Sequence, residues 1–170
     1  MLKKISILTS NKSQNFEAIK EYFKSKKVEI YETTNVLKAA DSDICVVDEF
    51  DGHLNKEILE CTNFIKVHYS LLPAFDTQNP IEDAFNSGVK ISGVTINYIN
   101  EDFSNGKIIA QYPVFIDYMT TLQEFKDEIY KVSQKLAPFV LESILDDKVF
   151  CFDMLLKPQS GCSGCGGCKK

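Results

Sequence analysis

At 170 residues, 44% of them hydrophobic and 11% aromatic, the chain carries enough apolar material for one domain with a real core, which excludes a disordered polymer. A formal net charge of −5 argues against nucleic acid or an anionic membrane surface as a partner, and no apolar run approaches the length of a membrane span. The apolar start turns polar at Thr9, too early for a signal-peptide core, so it reads as a first strand and the expected location is the cytoplasm. All 19 basic residues are Lys. An anionic ligand is therefore met by Lys, by backbone N–H groups or by helix N-termini, never by a guanidinium fork.

In chain order, Ile5 to Thr9 is a short apolar run and predicts a buried strand. The cap-forming loop Thr9 to Asn15 leads into Phe16, Ile19, Tyr22 and Phe23 at helical spacing, so a helix begins near Asn15. Val28 to Tyr31 suits a second strand, Val36 to Ala40 a helical turn, and Ile44-Cys45-Val46-Val47 a fully apolar strand. A loop from Asp51-Gly52, holding His53 in solvent, runs to a short helix over Lys56 to Cys61. Phe64 to His68 is the next strand, and Pro80 opens a helix through Asn86 that Gly88 closes. Lys90 to Asn100 and Lys107 to Ile116 are two longer strands around a turn-forming segment, Asp102 to Gly106. Leu122, Phe125, Ile129, Val132, Leu136 and Val140 mark one face of a long helix from Thr121 to about Asp147, in which Pro138 predicts a kink. Val149 to Leu155 reads as an edge strand, and a polar Gly-rich tail follows from Pro158. Cys45 and Cys61 read as core thiols.

Alternating strands and helices predict an α/β fold with a doubly wound, mostly parallel Rossmann-like sheet, an antiparallel C-terminal part and a long C-terminal helix. Residues 1–157 form the domain and 158–170 a Gly/Cys-rich tail. The most informative segment is Lys66-Val67-His68-Tyr69-Ser70-Leu71-Leu72-Pro73: an apolar strand delivers a lone imidazole to its carboxyl end, where open α/β sheets keep reactive side chains. It resembles the signature Asn-x-His-Pro-Ser-Leu-Leu-Pro of the formyltransferases that use 10-formyltetrahydrofolate, the phosphoribosylglycinamide formyltransferase-like family. Leu8 to Ile19, Gly93 to Gln111 and Leu136-Ala137-Pro138-Phe139-Val140 resemble further segments of that family, so the likeness spans residues 1 to 147.

The resemblance implies the formyltransferase fold, a folate co-substrate, 10-formyltetrahydrofolate, and a small-molecule amine acceptor, with a role in purine synthesis. The family's Asn and His stabilise the oxyanion formed when the amine attacks the formyl carbon, and its Asp orients the His. Carried over by position, His68 is retained, Lys66 stands for the Asn and Ser104 for the Asp, with Asp102 close enough to supply an acid. Lys66 and His68, two apart on a strand, share a face. Either the Lys66 ammonium donates to the oxyanion and keeps His68 neutral, or it pairs with an acid such as Asp102 and the site is inert, leaving a catalytically degenerate formyltransferase-fold module that binds a folate-like small ligand. The same alignment gives Asp48, Phe50, Asn105 and Gly106 to the folate, and Asn11, Lys12, Ser13 and Asn15 to the substrate in place of a Gly-rich phosphate loop. The chain is shorter than the family before the His strand and trims part of the substrate half.

The tail Gly161 to Lys170 is foreign to that family. Cys162, Cys165 and Cys168 recur at i, i+3 and i+6 among glycines, which reads as part of a zinc or iron–sulfur site with Cys151 or a second chain as fourth ligand, or as a reduced tail without specific metal. Through such a tail the chain would form a homodimer or bind a partner protein.

Overall fold

A computed structural model describes residues 2–100 and 105–152. The elements are β1 (Lys3–Leu8), α1 (Phe16–Phe23), β2 (Val28–Thr33), α2 (Val36–Ala40), β3 (Ile44–Val47), α3 (Lys56–Leu59), β4 (Asn63–His68), α4 (Pro80–Asn86), β5 (Ile91–Ile99), β6 (Asn105–Phe115) and α5 (Leu122–Leu145). The strands form one sheet in the order β2-β1-β3-β4-β5-β6. β1 to β4 are parallel, while β5 runs antiparallel to β4 and β6 antiparallel to β5.

Period-2 alternation divides the apolar residues between the two faces of the sheet. Ile5, Ile7, Val46, Ile65, Val67, Val94 and Ile96 pack with α1, α4 and α5 in the larger cluster. Leu8, Cys45, Val47 and Phe64 pack on the opposite face with α2, α3 and Leu54. Because β2 and β3 flank β1 on opposite sides, chain direction switches between β1 and β3. Their carboxyl ends frame the crevice where open α/β sheets take ligands.

Local chemistry fixes the ends. Thr121 and Glu124 form a reciprocal capping box that starts α5, and the helix continues as one element through the buried Pro138. Gly88 closes α4 at φ +76°, a conformation that glycine adopts freely. At Gly93 a Cβ would sit 2.1 Å from the Tyr112 carbonyl oxygen, so only a glycine lets β5 and β6 approach as they do.

Two expectations change. Val149 to Phe152 are not a strand: Phe150 and Phe152 meet edge-to-face, and Phe152 tilts against Tyr112 of β6. Ring contacts rather than ladder hydrogen bonds hold this stretch, and Asp153 to Leu155 lie outside the described residues. Cys61 is exposed, its Sγ 3.2 Å from the Glu57 carbonyl oxygen, because α3 ends at Leu59 and the chain has turned to the surface. Cys45 is buried, and burial pushes its thiol up to about 12. No helix among the described residues is long and apolar enough to cross a membrane.

Candidate functional site

His68 is the last residue of β4, on the face it shares with Lys66. Its partners on β5 and then β6 are Thr95 and Gln111. These two fasten the turn that follows the histidine. Thr95 Oγ1 donates to the Ser70 carbonyl at 2.7 Å and accepts from the Leu72 N–H at 3.0 Å, while Gln111 Nε2 donates to the Leu72 carbonyl at 2.9 Å. Ser70 Oγ closes the turn from inside by donating to the Ala74 carbonyl. So fastened, the chain brings the Phe75 carbonyl oxygen back to 3.1 Å from His68 Nε2.

A carbonyl only accepts, so Nε2 carries the hydrogen and Nδ1 of the neutral ring keeps its lone pair. Burial first, then the Lys66 charge, hold the imidazole below its ordinary pKa; the Phe75 bond opposes them. The ring is neutral at pH 7 and its single N–H is committed.

His68 and Lys66 line a cleft of about 460 Å³ over the carboxyl ends of β3 and β4. Glu49, Phe50, Thr77, Gln78, Lys126 and Tyr130 form much of its wall. That volume is within the range of small-molecule sites. Lys126 is neutralised by Glu82. Lys66 is half-buried and makes no ion pair with any described residue. Glu49 follows β3 at φ +50° and accepts from the Tyr130 hydroxyl at 3.3 Å. Burial, then the neighbouring Asp48 charge, raise its carboxyl above the usual range.

Beside the cleft, the crevice between β1 and β3 is filled by the protein itself. Asp48, fully buried, accepts from Ser13 Oγ (2.5 Å), Asn15 Nδ2 (3.0 Å) and the Tyr69 hydroxyl (2.5 Å). Asn15 spends its second amide hydrogen on the Tyr69 oxygen and accepts from Ser133 on α5. Asn15 precedes α1 but makes no side-chain cap, its amide being consumed by these tertiary contacts. The Ser13 backbone N–H donates to Glu32 Oε1 at 2.6 Å. Every partner of Asp48 donates, which is what an ionised carboxylate takes.

The sequence profile described as formyl transferase matches residues 3–141. The chain belongs to the formyltransferase family. It is 40% identical over 81 residues to a phosphoribosylglycinamide formyltransferase of Bacillus subtilis, a match that spans 48% of this chain and 42% of that protein. It is also 32% identical over 88 residues to a formyltetrahydrofolate deformylase of Escherichia coli, spanning 52% of this chain and 31% of that one. The chain thus matches less than half the length of these relatives. Among solved structures, a phosphoribosylglycinamide formyltransferase from Bacillus halodurans superposes with a TM-score of 0.72 at 25% identity, covering 84% of this chain and 95% of that chain.

Within this formyltransferase-family chain, the structure brings His68, Lys66 and Phe50 to one cleft and seals Asp48, Ser13 and Asn15 inside the protein. Asn11 and Lys12 are exposed. Gly106 sits in β6, where a Cβ would meet Asn100 Oδ1 at 2.5 Å, and is not part of the cleft wall. Asn105 begins β6. Asp102 and Ser104 lie outside the described residues, as do Cys162, Cys165 and Cys168. Cys151 is exposed, and among the described residues no group of three His, Cys, Asp or Glu side chains is placed to hold a metal. Thr77, Gln78 and Asn79 line the cleft, whereas His53 is exposed.

Sequence reasoning missed Glu49, Tyr69 and Tyr130. A pair of carboxylates directly after the apolar strand Ile44–Val47 was the available signal for the first. For the two tyrosines, whose rings meet edge-to-face at 5.2 Å, there was none, since they come together only where α5 passes the residue that follows β4.

Proposed function

We propose that the chain transfers the formyl group of 10-formyltetrahydrofolate to an amine, with His68 and Lys66 as the reacting-centre residues. The observation that carries this reading is the pairing of a neutral imidazole with an ammonium that has no described anionic partner, both on the wall of one cleft. When the amine attacks the formyl carbon, charge develops on the formyl oxygen. Lys66 supplies the positive charge that stabilises it, since the neutral His68 ring has no N–H left to give. The attacking nitrogen must lose a proton and the departing folate nitrogen must gain one. His68 Nδ1 carries that proton between them. Phe50 packs the folate, and Asp102 and Ser104 keep the role beside His68 that the family resemblance implies. In the same reading the tail adds a metal or cluster site on Cys162, Cys165, Cys168 and Cys151.

The experiment is a titration of the full chain with 10-formyltetrahydrofolate, following binding and then tetrahydrofolate release with candidate amines, alongside metal analysis of the same anaerobic preparation. His68→Ala is expected to slow release by about 100-fold or more, and Lys66→Met by about 10- to 100-fold with folate binding retained. Wild-type rates in the His68→Ala variant end the reading.

A further inference from the structure

In an open α/β sheet the crevice at the switch point is where a ligand's anionic group is met, by loop N–H groups and the positive end of the following helix. Here that place holds an anion already. The Ser13 hydroxyl and the Asn15 amide, the donors that lead into α1, are spent on the buried Asp48 carboxylate, and the Ser13 N–H is spent on Glu32. A phosphate brought to this loop meets the Glu32 carboxylate with the buried Asp48 charge behind it, Lys12 as the loop's one cation, and no arginine anywhere in the chain. The next group along β3 is Glu49, which does face the cleft. Glu49 and His68 each lie two residues past the last paired positions of adjacent strands, Val47 and Lys66, and neighbouring strands run about 4.8 Å apart.

We propose that the acceptor is a primary amine bearing no phosphate, and that Glu49 meets its ammonium group in the cleft and takes the proton that frees the nitrogen for attack. This rests on the formyl-transfer reading above. The steps balance. The ammonium N–H bond breaks and its proton passes to a Glu49 oxygen, leaving the amine lone pair free. That pair forms a bond to the formyl carbon. The second proton moves through His68 to the folate nitrogen as the bond between that nitrogen and the formyl carbon breaks, and Glu49 returns its proton to water. The products are an N-formyl amine and tetrahydrofolate, and nothing is oxidised or reduced. Tyr130, donating to Glu49 Oε1, positions the carboxylate, and the raised Glu49 pKa gives it the basicity for the task.

The test pairs primary amines with their phosphate esters, ethanolamine against phosphoethanolamine and glucosamine against glucosamine 6-phosphate, in the presence of 10-formyltetrahydrofolate and the full chain. The expected result is tetrahydrofolate release and N-formyl product from the phosphate-free members, with inorganic phosphate giving no inhibition. Glu49→Gln should lose about 100-fold at pH 7. Its remaining rate should then follow the free-amine fraction, rising about tenfold per pH unit below the amine pKa, whereas Glu49→Asp restores part of the wild-type profile. A merely structural Glu49 would leave the pH profile unmoved. Preference for the phosphate ester, competition by inorganic phosphate, formate release without amine, or folate bound with no turnover each overturns the inference. Failure of the folate to bind at all removes the formyl-transfer reading itself, so the two failures are distinct.

Discussion

At position 68 the chain places an imidazole between a carbonyl that takes its hydrogen and an ammonium that opposes a second one. His68 is held below its ordinary pKa by burial and then by Lys66. A histidine with a depressed folded pKa is protonated more readily in the unfolded chain. Stability contributed by the neutral ring is therefore present above the unfolded value of about 6.5 and is lost as pH falls from there toward the folded pKa. The expected outcome is a fall in unfolding free energy below about pH 6.5 that is absent in His68→Phe, read by urea denaturation at several pH values. With only two histidines in the chain, proton NMR of the imidazole resonances gives the companion measurement. Lys66→Met should move the His68 titration up toward the ordinary imidazole value, because the Lys66 charge is one of the two causes that lower it. A His68 titration at or above the ordinary value in the wild type contradicts the arrangement described. The motif around His68 was legible because it is contiguous. Its tautomer was not, because Phe75 reaches the ring only through a turn tied to Thr95 and Gln111 on two other strands.

The elements were largely readable because each carries its own periodicity and its own stop. Ile44–Val47 is apolar throughout and becomes a strand buried on both faces. Pro80 opens α4, and Thr121 with Glu124 opens α5. Val149 to Phe152 misled because apolar, β-prone residues describe any stretch that covers a hydrophobic surface. Phe150 and Phe152 do this by ring contacts. The β5–β6 pair carries the sharpest test at this scale. Gly93→Ala forces a methyl against the Tyr112 carbonyl and the Leu71 side chain, so β5 and β6 must separate. A loss of about 3 kcal/mol is expected, measured by thermal or urea unfolding, with a secondary loss of activity because Thr95 and Gln111 hold the turn after His68. An unchanged midpoint would mean that these strands are farther apart than described.

Across the whole molecule, Asp48 joins the loop after β1, the ends of β3 and β4, and, through Asn15 and Ser133, the long helix α5. Asp48→Ala leaves Ser13, Asn15 and Tyr69 without their acceptor in a site closed to water. It should cost about 3 kcal/mol, seen as a lowered urea midpoint with the slope unchanged. Ser13→Ala, which deletes one donor, should cost less. Equal stability of Asp48→Ala and wild type would show that the buried network is not a fastening.

By itself the sequence determined the α/β class, the order and kind of nearly all elements, the family and the histidine at its centre, because those depend on periodicity, capping and contiguous motifs. Tertiary structure alone decided what the chain does with its charges. Positions 13, 15, 48, 69 and 133 share no local pattern, so their convergence on one buried carboxylate depends on strand order and the packing of α5. The same packing left Lys66 and Glu49 facing the cleft while it sealed Asp48 away from it.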